Sequence, residues 1–191
     1  MRRLILIATL VAAFFVSACA STVSPLYTKT DAVTDPVLVG TWVGSDKGDN
    51  LTVQIEKMKD ASYQVTVSGV KSGDDSVYQA YLVKLGSASY ADLLLTNLRL
   101  AGQDRALPWG VVALHQVVKY QLSGDDLAVS PISDDALDNS AKQPGFPLQF
   151  RATVQHGDTV IILSTTDELR RYLSAHPADI FGEQQHFKRQ H

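Results

Sequence analysis

The chain has 191 residues, of which 45% are hydrophobic and 19% are charged, and its formal net charge is −3 at pH 7. This length suits one domain with its own core and is short for two. A mildly acidic chain without a basic stripe is a poor candidate for binding nucleic acid, because neutralisation of phosphates dominates that affinity.

The N-terminal segment has the pattern of an export signal. Arg2 and Arg3 precede an apolar run over Leu4–Val16, and the small pair Ser17-Ala18 leads into Cys19, the chain's single cysteine. Positive, apolar and small residues in this order are typical of a cleavable secretory signal peptide. The run is also shorter than the roughly 20 apolar residues of a transmembrane helix. We predict a signal peptide over residues 1–18, with cleavage between Ala18 and Cys19.

The residues at this cleavage point, Val16-Ser17-Ala18-Cys19, resemble a lipobox, the signal of bacterial lipoproteins. The resemblance implies that a thioether joins the Cys19 sulfur to diacylglycerol, and that the new amino group can take a further acyl chain such as palmitate. Two or three chains anchor a protein stably to a membrane, whereas one does so only marginally. Ala20, rather than an aspartate, follows the cysteine, which for such lipoproteins implies the periplasmic face of the outer membrane in a Gram-negative cell. The expected location is therefore the bacterial cell envelope.

The stretch after the cysteine, residues 20–35, is rich in Ser, Thr and Asp and has little hydrophobic periodicity. Such composition is typical of a flexible linker, and we predict a lipid-anchored tether over residues 19–36. The pair Asp35-Pro36 indicates a turn at its end. We predict that residues 37–191 form a single β-rich globular domain.

Alternation of apolar and polar residues dominates the predicted domain. On Leu51–Lys57, for example, Leu51, Val53 and Ile55 share one face. Alternation with period two is typical of half-buried antiparallel strands. Turn residues divide the strands into three predicted hairpins: Leu51–Lys57 with Tyr63–Ser68, Val77–Leu85 with Ser89–Asn97, and Val111–Leu122 with Leu127–Ile132. Further strands are predicted over Val37–Val43, Leu148–Gln155 and Thr159–Ser164.

Two segments depart from this alternation and favour helices. Asp134–Ser140 is a candidate for a short helix. Thr165 and Glu168 have the spacing of a capping box, and an apolar stripe with helical periodicity follows them before Pro177. We predict a mainly β fold, an antiparallel meander barrel or sandwich of about eight or nine strands with a C-terminal helix.

The stretch Gly40-Thr41-Trp42 stands at the start of this predicted meander. Gly-x-Trp at such a position resembles the first motif of the lipocalins and lipocalin-like barrels. The resemblance implies that Trp42 closes the base of a barrel beneath an arginine from a late strand. Arg151 lies on a late predicted strand and is the candidate for that cation–π contact. Gly40, Trp42 and Arg151 are therefore the predicted structural residues of a barrel base.

The interior of such a barrel has two possible states. A barrel of about eight strands either fills its interior with side chains or leaves space for one small apolar ligand. The aromatic candidates for the interior are Tyr63, Tyr78 or Tyr81, Tyr120 and Phe150. The sequence leaves both states open.

No motif predicts catalysis, a metal site or a cofactor. His115 lies mid-strand among apolar residues, and we interpret it as a hydrogen-bonded strand histidine rather than a general base or metal ligand. The histidines near the C-terminus lack the spacing of a zinc pair, and the paired aspartates lie in turn-like segments without a calcium-loop pattern. We expect a protein that is not an enzyme.

Two functions remain. The first, which the sequence favours because filled barrels are the more common, is a lipid-anchored envelope lipoprotein acting as a non-catalytic interaction module. Its partner would be another envelope protein, engaged through the tether and the polar loops Gly69–Ser76 and Ser133–Pro147. The alternative is a lipocalin-like binder of a small apolar ligand or lipid. A cavity inside the barrel would favour the second.

Overall fold

The structure, a computed structural model, describes residues 19–46, 49–69, 74–100, 103–106, 114–153 and 159–191. The predicted signal peptide, including Ala18, lies outside the described residues. The strands are β1 Ser21–Thr22, β2 Gly40–Asp46, β3 Asp49–Lys57, β4 Tyr63–Gly69, β5 Asp75–Leu85, β6 Ala88–Leu100, β7 Gln103–Ala106, β8 His115–Ser123, β9 Asp126–Pro131, β10 Phe150–Thr153, β11 Thr159–Ile162 and β12 Gln185–Gln190. The α-helices are α1 Asp134–Ala141 and α2 Thr166–Ala175, and a 3₁₀ turn covers Pro36–Leu38.

Eight of the strands form a closed antiparallel barrel in the order β2-β3-β4-β5-β6-β8-β9-β12, in which β12 returns to β2. The predicted mainly β fold with a C-terminal helix is confirmed, and the barrel is the architecture adopted. The three predicted hairpins are the pairs β3–β4, β5–β6 and β8–β9. The beginning of the third, residues 111–113, lies outside the described residues.

The barrel is closed by a strand that the sequence patterns do not indicate. β12 pairs with β9 on one side and with β2 on the other. Its residues, QHFKRQ, include a single apolar side chain, Phe187, so there is no alternation to mark it. The strand exists because both of its edges find partners in the ladder, which is a tertiary property.

The segment between β9 and β12 forms an outer layer on the barrel. α1, β10, β11 and α2 pack against the outward faces of β5, β6 and β8, and a second core fills the space between them. The predicted capping box of α2 is confirmed: the Thr165 amide donates to Glu168 Oε2 at 2.8 Å, and the Glu168 amide donates to Thr165 Oγ1 at 3.4 Å. In the part of the chain that the structure describes, neither helix is long and apolar enough to cross a membrane.

The segment predicted as a tether, residues 19–36, lies against the body. Ala20, Thr22 and Leu26 are buried, and β1 pairs with β11 on one edge and with β8 on the other. From α2, Arg170 Nη1 donates to the Leu26 carbonyl at 3.0 Å. The composition of the segment is that of a linker, yet its backbone groups find hydrogen-bond partners on two sides, which a polar sequence does not reveal.

One buried carboxylate joins this segment to the barrel wall. Asp92, on the outward face of β6, is 1% exposed. Its Oδ2 accepts from the Leu26 amide at 2.5 Å, and its Oδ1 lies 2.7 Å from Nδ1 of His115. His115 is thus hydrogen-bonded within a strand, as the sequence predicts. The Leu26 amide and the His115 ring give both oxygens of Asp92 a hydrogen-bond partner, without which this carboxyl group would be costly to bury.

The substitution Asp92→Ala tests this contact. It leaves the Leu26 amide and the His115 ring nitrogen without their acceptor, and we expect the free energy of unfolding to fall by about 3 kcal/mol. Urea denaturation measures the loss, and hydrogen exchange of the Leu26 amide reports release of the segment. The control is Asp138→Ala, at an exposed position of α1, which should change stability by less than about 0.5 kcal/mol. Equal losses of unfolding free energy in the two variants would contradict the conclusion that Asp92 holds the N-terminal segment on the barrel wall.

Candidate functional site

The base of the barrel is closed by Trp42. This side chain is fully buried near the start of β2, and its indole Nε1 donates to the Leu38 carbonyl at 2.9 Å. Leu38 belongs to the 3₁₀ turn, which begins at an Asp35 cap whose Oδ1 accepts from the Val37 amide at 3.1 Å. The turn and the indole together cover this end of the barrel.

The arginine over Trp42 is Arg189, from β12. Its Cζ lies 4.2 Å from the centroid of the Trp42 ring, which is a cation–π distance. Its guanidinium donates to the Val39 carbonyl at 2.9 Å and also to the Val37 carbonyl. Nε lies 3.4 Å from Asp125 Oδ1. One side chain therefore connects the last strand, the indole and the covering turn.

The prediction that Arg151 fills this role is wrong. Arg151 lies on β10, where it is exposed and pairs with Ile161 of β11 in the outer layer. Arg151 lies late in the sequence, but its strand β10 pairs with β11 and is not part of the barrel. Arg189 lies directly opposite Trp42 in the β12–β2 register, and only recognition of β12 as a strand could have identified it.

Gly40 is required at the base, as the Gly-x-Trp resemblance implies. Its φ is +141°, a conformation that L side chains rarely adopt. A Cβ at this position would lie 2.6 Å from Arg189 Nη1. Any larger residue would displace the guanidinium that covers Trp42.

The predicted interior aromatics divide between the two cores. Tyr63, Tyr78 and Tyr120 point into the barrel. Tyr81 points outward and stacks on Tyr27, with ring centroids 3.9 Å apart. Phe150 packs in the outer core, because β10 is not a barrel strand. Of the alternatives Tyr78 and Tyr81, the inward residue is Tyr78.

Inside the barrel lies a cavity of about 90 Å³. Its walls are aliphatic side chains with Phe187 and the three inward tyrosines, and Gln116 is the single amide among the described residues that line it. Part of this space exists because Ala80 and Ala91, on neighbouring strands, have small side chains. The cavity is below the range of about 300–1,000 Å³ typical of drug-sized ligands, and nearer the cavity of about 150 Å³ that accepts benzene. It suits one slender apolar group.

The lining carries no net charge at neutral pH. Burial, with a smaller contribution from the Asp35 carboxylate, raises the pKa of Tyr120 to about 12. Burial likewise raises the pKa of Tyr63 and of Tyr78 above the ordinary tyrosine value. The hydroxyls therefore stay protonated, and the described residues that line the cavity include no carboxylate or ammonium group. Such a lining favours an apolar ligand over an ion.

The cavity opens at the end opposite Trp42. On β4, Val65 is buried, whereas Val67, further along the strand from Tyr63, is half-buried. On β6 the exposure rises in the same direction, from buried Ala91 to half-buried Leu95. The inward residues of β9 repeat the trend. Residues 47–48, 70–73 and 107–113 lie outside the described residues.

Two histidines near the C-terminus have local partners. His176 Nδ1 lies 3.1 Å from Asp179 Oδ2, and His191 Nε2 lies 3.3 Å from Asp125 Oδ2. Asp126 pairs with Lys188 beside the base. Among the described residues, no group of three or more His, Cys, Asp or Glu side chains could hold a metal ion.

The base can be tested with Arg189→Met. The substitution removes the charge-assisted hydrogen bonds to the covering turn and the cation–π contact, and we expect the free energy of unfolding to fall by about 2–3 kcal/mol. The control is Arg151→Met, at an exposed position of β10, expected to cost less than about 0.5 kcal/mol. Guanidinium denaturation compares the two. A larger loss for Arg151→Met than for Arg189→Met would favour Arg151 as the arginine that stabilises the barrel base.

Comparisons with family models, with curated proteins and with solved structures find no match to this chain. The resemblance of Gly40-x-Trp42 to the first motif of lipocalin-like barrels stays a prediction from the sequence.

Proposed function

We propose that this protein is a lipid-anchored envelope protein whose barrel binds a small apolar ligand. The observation that carries the proposal is the uncharged apolar cavity of about 90 Å³ inside the barrel, which is lined at the base by Leu38, the hydrogen-bond partner of the buried Trp42. Of the two functions that the sequence leaves, this one requires space in the barrel.

The chemistry of the wall supports an apolar ligand. Moving apolar surface from water into such a site is favourable by roughly 25 cal/mol per Å² buried. A polar ligand would lose its hydration and find little more than Gln116 and the tyrosine hydroxyls as partners. Small apolar molecules, or one chain of a lipid, meet these conditions.

The sequence around Cys19 supports the anchor. A basic start, a short apolar run and small residues precede the cysteine, in the order typical of a lipoprotein signal. Cys19 is half-buried at the surface of the folded body, so part of the side chain reaches solvent. Attached acyl chains would hold the barrel at a membrane.

Ligand binding can be measured by quenching of Trp42. Decanoic acid with a terminal bromine should quench Trp42 when its chain enters the cavity, because the indole lies at the closed end. The protein for this test is the mature chain with Cys19→Ser and Trp109→Phe, which leaves Trp42 as the single tryptophan. Saturable quenching is the expected result, and none at any concentration would overturn the proposal.

A variant that fills the cavity supplies the control. Ala80→Leu adds volume to the lining, and we expect it to weaken binding at least about tenfold, whereas Ala175→Leu, on the exposed end of α2, should leave it unchanged. If Ala80→Leu disturbs folding, Ala91→Leu fills the same space from β6. Equal binding by the filled and control variants would mean that the ligand binds elsewhere. An interaction module that does not use the barrel cavity would then be the better explanation.

The anchor is tested with Cys19→Ser in cells. We expect loss of labelling by an alkyne analogue of palmitate and loss of membrane retention, because no thioether can form. Ser24→Ala, close by in the chain, should be labelled normally. Unchanged labelling of the Cys19→Ser variant would exclude lipidation at this residue.

A further inference from the structure

Cys19 is fixed to the body without a spacer. It faces Ser133 in a β-bridge, and the next residue, Ala20, donates its amide to the Ile132 carbonyl at 3.1 Å. Ser133 is itself held, since its amide donates to the Ile180 carbonyl at 3.0 Å. A flexible linker of n residues would let its ends separate by about 5–6 Å × √n, but here Cys19 itself is part of the β-structure.

The bridge to Ser133 lies at the open end of the barrel. β9 runs away from the base, from Asp126, which pairs with Lys188, to Pro131. Ser133 follows two residues later. At the other end of the barrel, Arg189 of β12 pairs with Trp42 of β2. Cys19 and the closed base are therefore at opposite ends of the barrel.

From this geometry, and resting on the proposed function, we infer that the open end of the barrel faces the bilayer and that its ligand is an acyl chain of a membrane lipid. Chains attached to Cys19 lie in the hydrocarbon, so Cys19 is held at the membrane surface. Because no spacer separates it from β1, the opening is held there as well. An acyl chain can then move from the bilayer into the cavity without exposing its full length to water, which avoids the cost of hydrating its CH₂ groups.

The closed end offers the competing orientation. Several apolar side chains are exposed there, among them Val37 at 54% and Met58 at 45%. If that end lay on the membrane, the cavity would open to the aqueous side. The two orientations differ in which end of β3 approaches the lipid.

Two labels on β3 distinguish the orientations. Asn50 is exposed at the open end of the barrel, where it pairs with Ser45 near the end of β2. Met58 directly follows β3 at the closed end. The strand of nine residues spans about 30 Å along its axis. Acylation occupies the sulfur of the native cysteine, so Asn50→Cys or Met58→Cys provides the single thiol for a fluorophore.

The experiment uses the full lipidated protein, reconstituted into phosphatidylethanolamine–phosphatidylglycerol vesicles with or without nitroxide-labelled lipid. We expect the label at position 50 to be quenched several-fold more than the label at position 58. Stronger quenching at position 58, or equal quenching at both, would overturn the orientation. Neither residue lines the cavity, so both variants retain the ligand site.

A transfer measurement tests the ligand class. Vesicles containing phospholipid with a terminally brominated chain should quench Trp42 of the anchored protein carrying Trp109→Phe, and a flexible Gly-Ser insertion between Ala20 and Ser21 should slow this transfer several-fold. Equal rates with and without the insertion would overturn direct uptake. Quenching by free brominated decanoic acid is measured on the same samples. If the free acid binds but the orientation or transfer result fails, this inference fails and the proposed function stands; if the free acid does not bind, the proposed function fails.

Discussion

The pairing of β12 between β9 and β2 is the constraint on which the rest of the structure depends. It closes the barrel, so neither β2 nor β9 presents an open edge. The same strand brings Arg189 over Trp42, where the guanidinium holds the turn that covers the base. Gly40 leaves room for that side chain. Closure, the sealed base and the enclosed apolar space are thus consequences of one strand near the C-terminus.

The strands of the barrel wall serve two cores at once. Along β6 the side chains alternate: Ala91 faces the cavity, whereas Tyr90 and Asp92 face the outer layer. The helices α1 and α2 and the strands β10 and β11 pack on the outer face of this part of the wall and support it from outside. On its inner face, small residues leave space for the cavity. A cavity in a close-packed protein persists when its wall cannot collapse, and the outer core supplies that support.

The N-terminal segment connects the outer layer to the proposed membrane position. Asp92 and Arg170 bind its backbone at Leu26 from two sides, and β1 inserts between β8 and β11. Cys19 is thereby held at the open end and not at a distance set by a linker. The buried carboxylate of Asp92 is a specific requirement for this arrangement, because a backbone amide and a histidine converge on it.

Local patterns in the sequence determined the hairpins, the capping box of α2 and the place of Gly40 and Trp42, because strand alternation, helix caps and turn residues act between residues close in the chain. Only the tertiary structure decided which strands close the barrel, since β12 has one apolar residue and is stabilised by partners distant in sequence. It likewise decided that Arg189 rather than Arg151 covers Trp42, and that residues 19–36 pack against the body. The cavity, too, was decided only by the tertiary structure. Whether a barrel interior is filled depends on how side chains from all its strands meet, and no single strand carries that information.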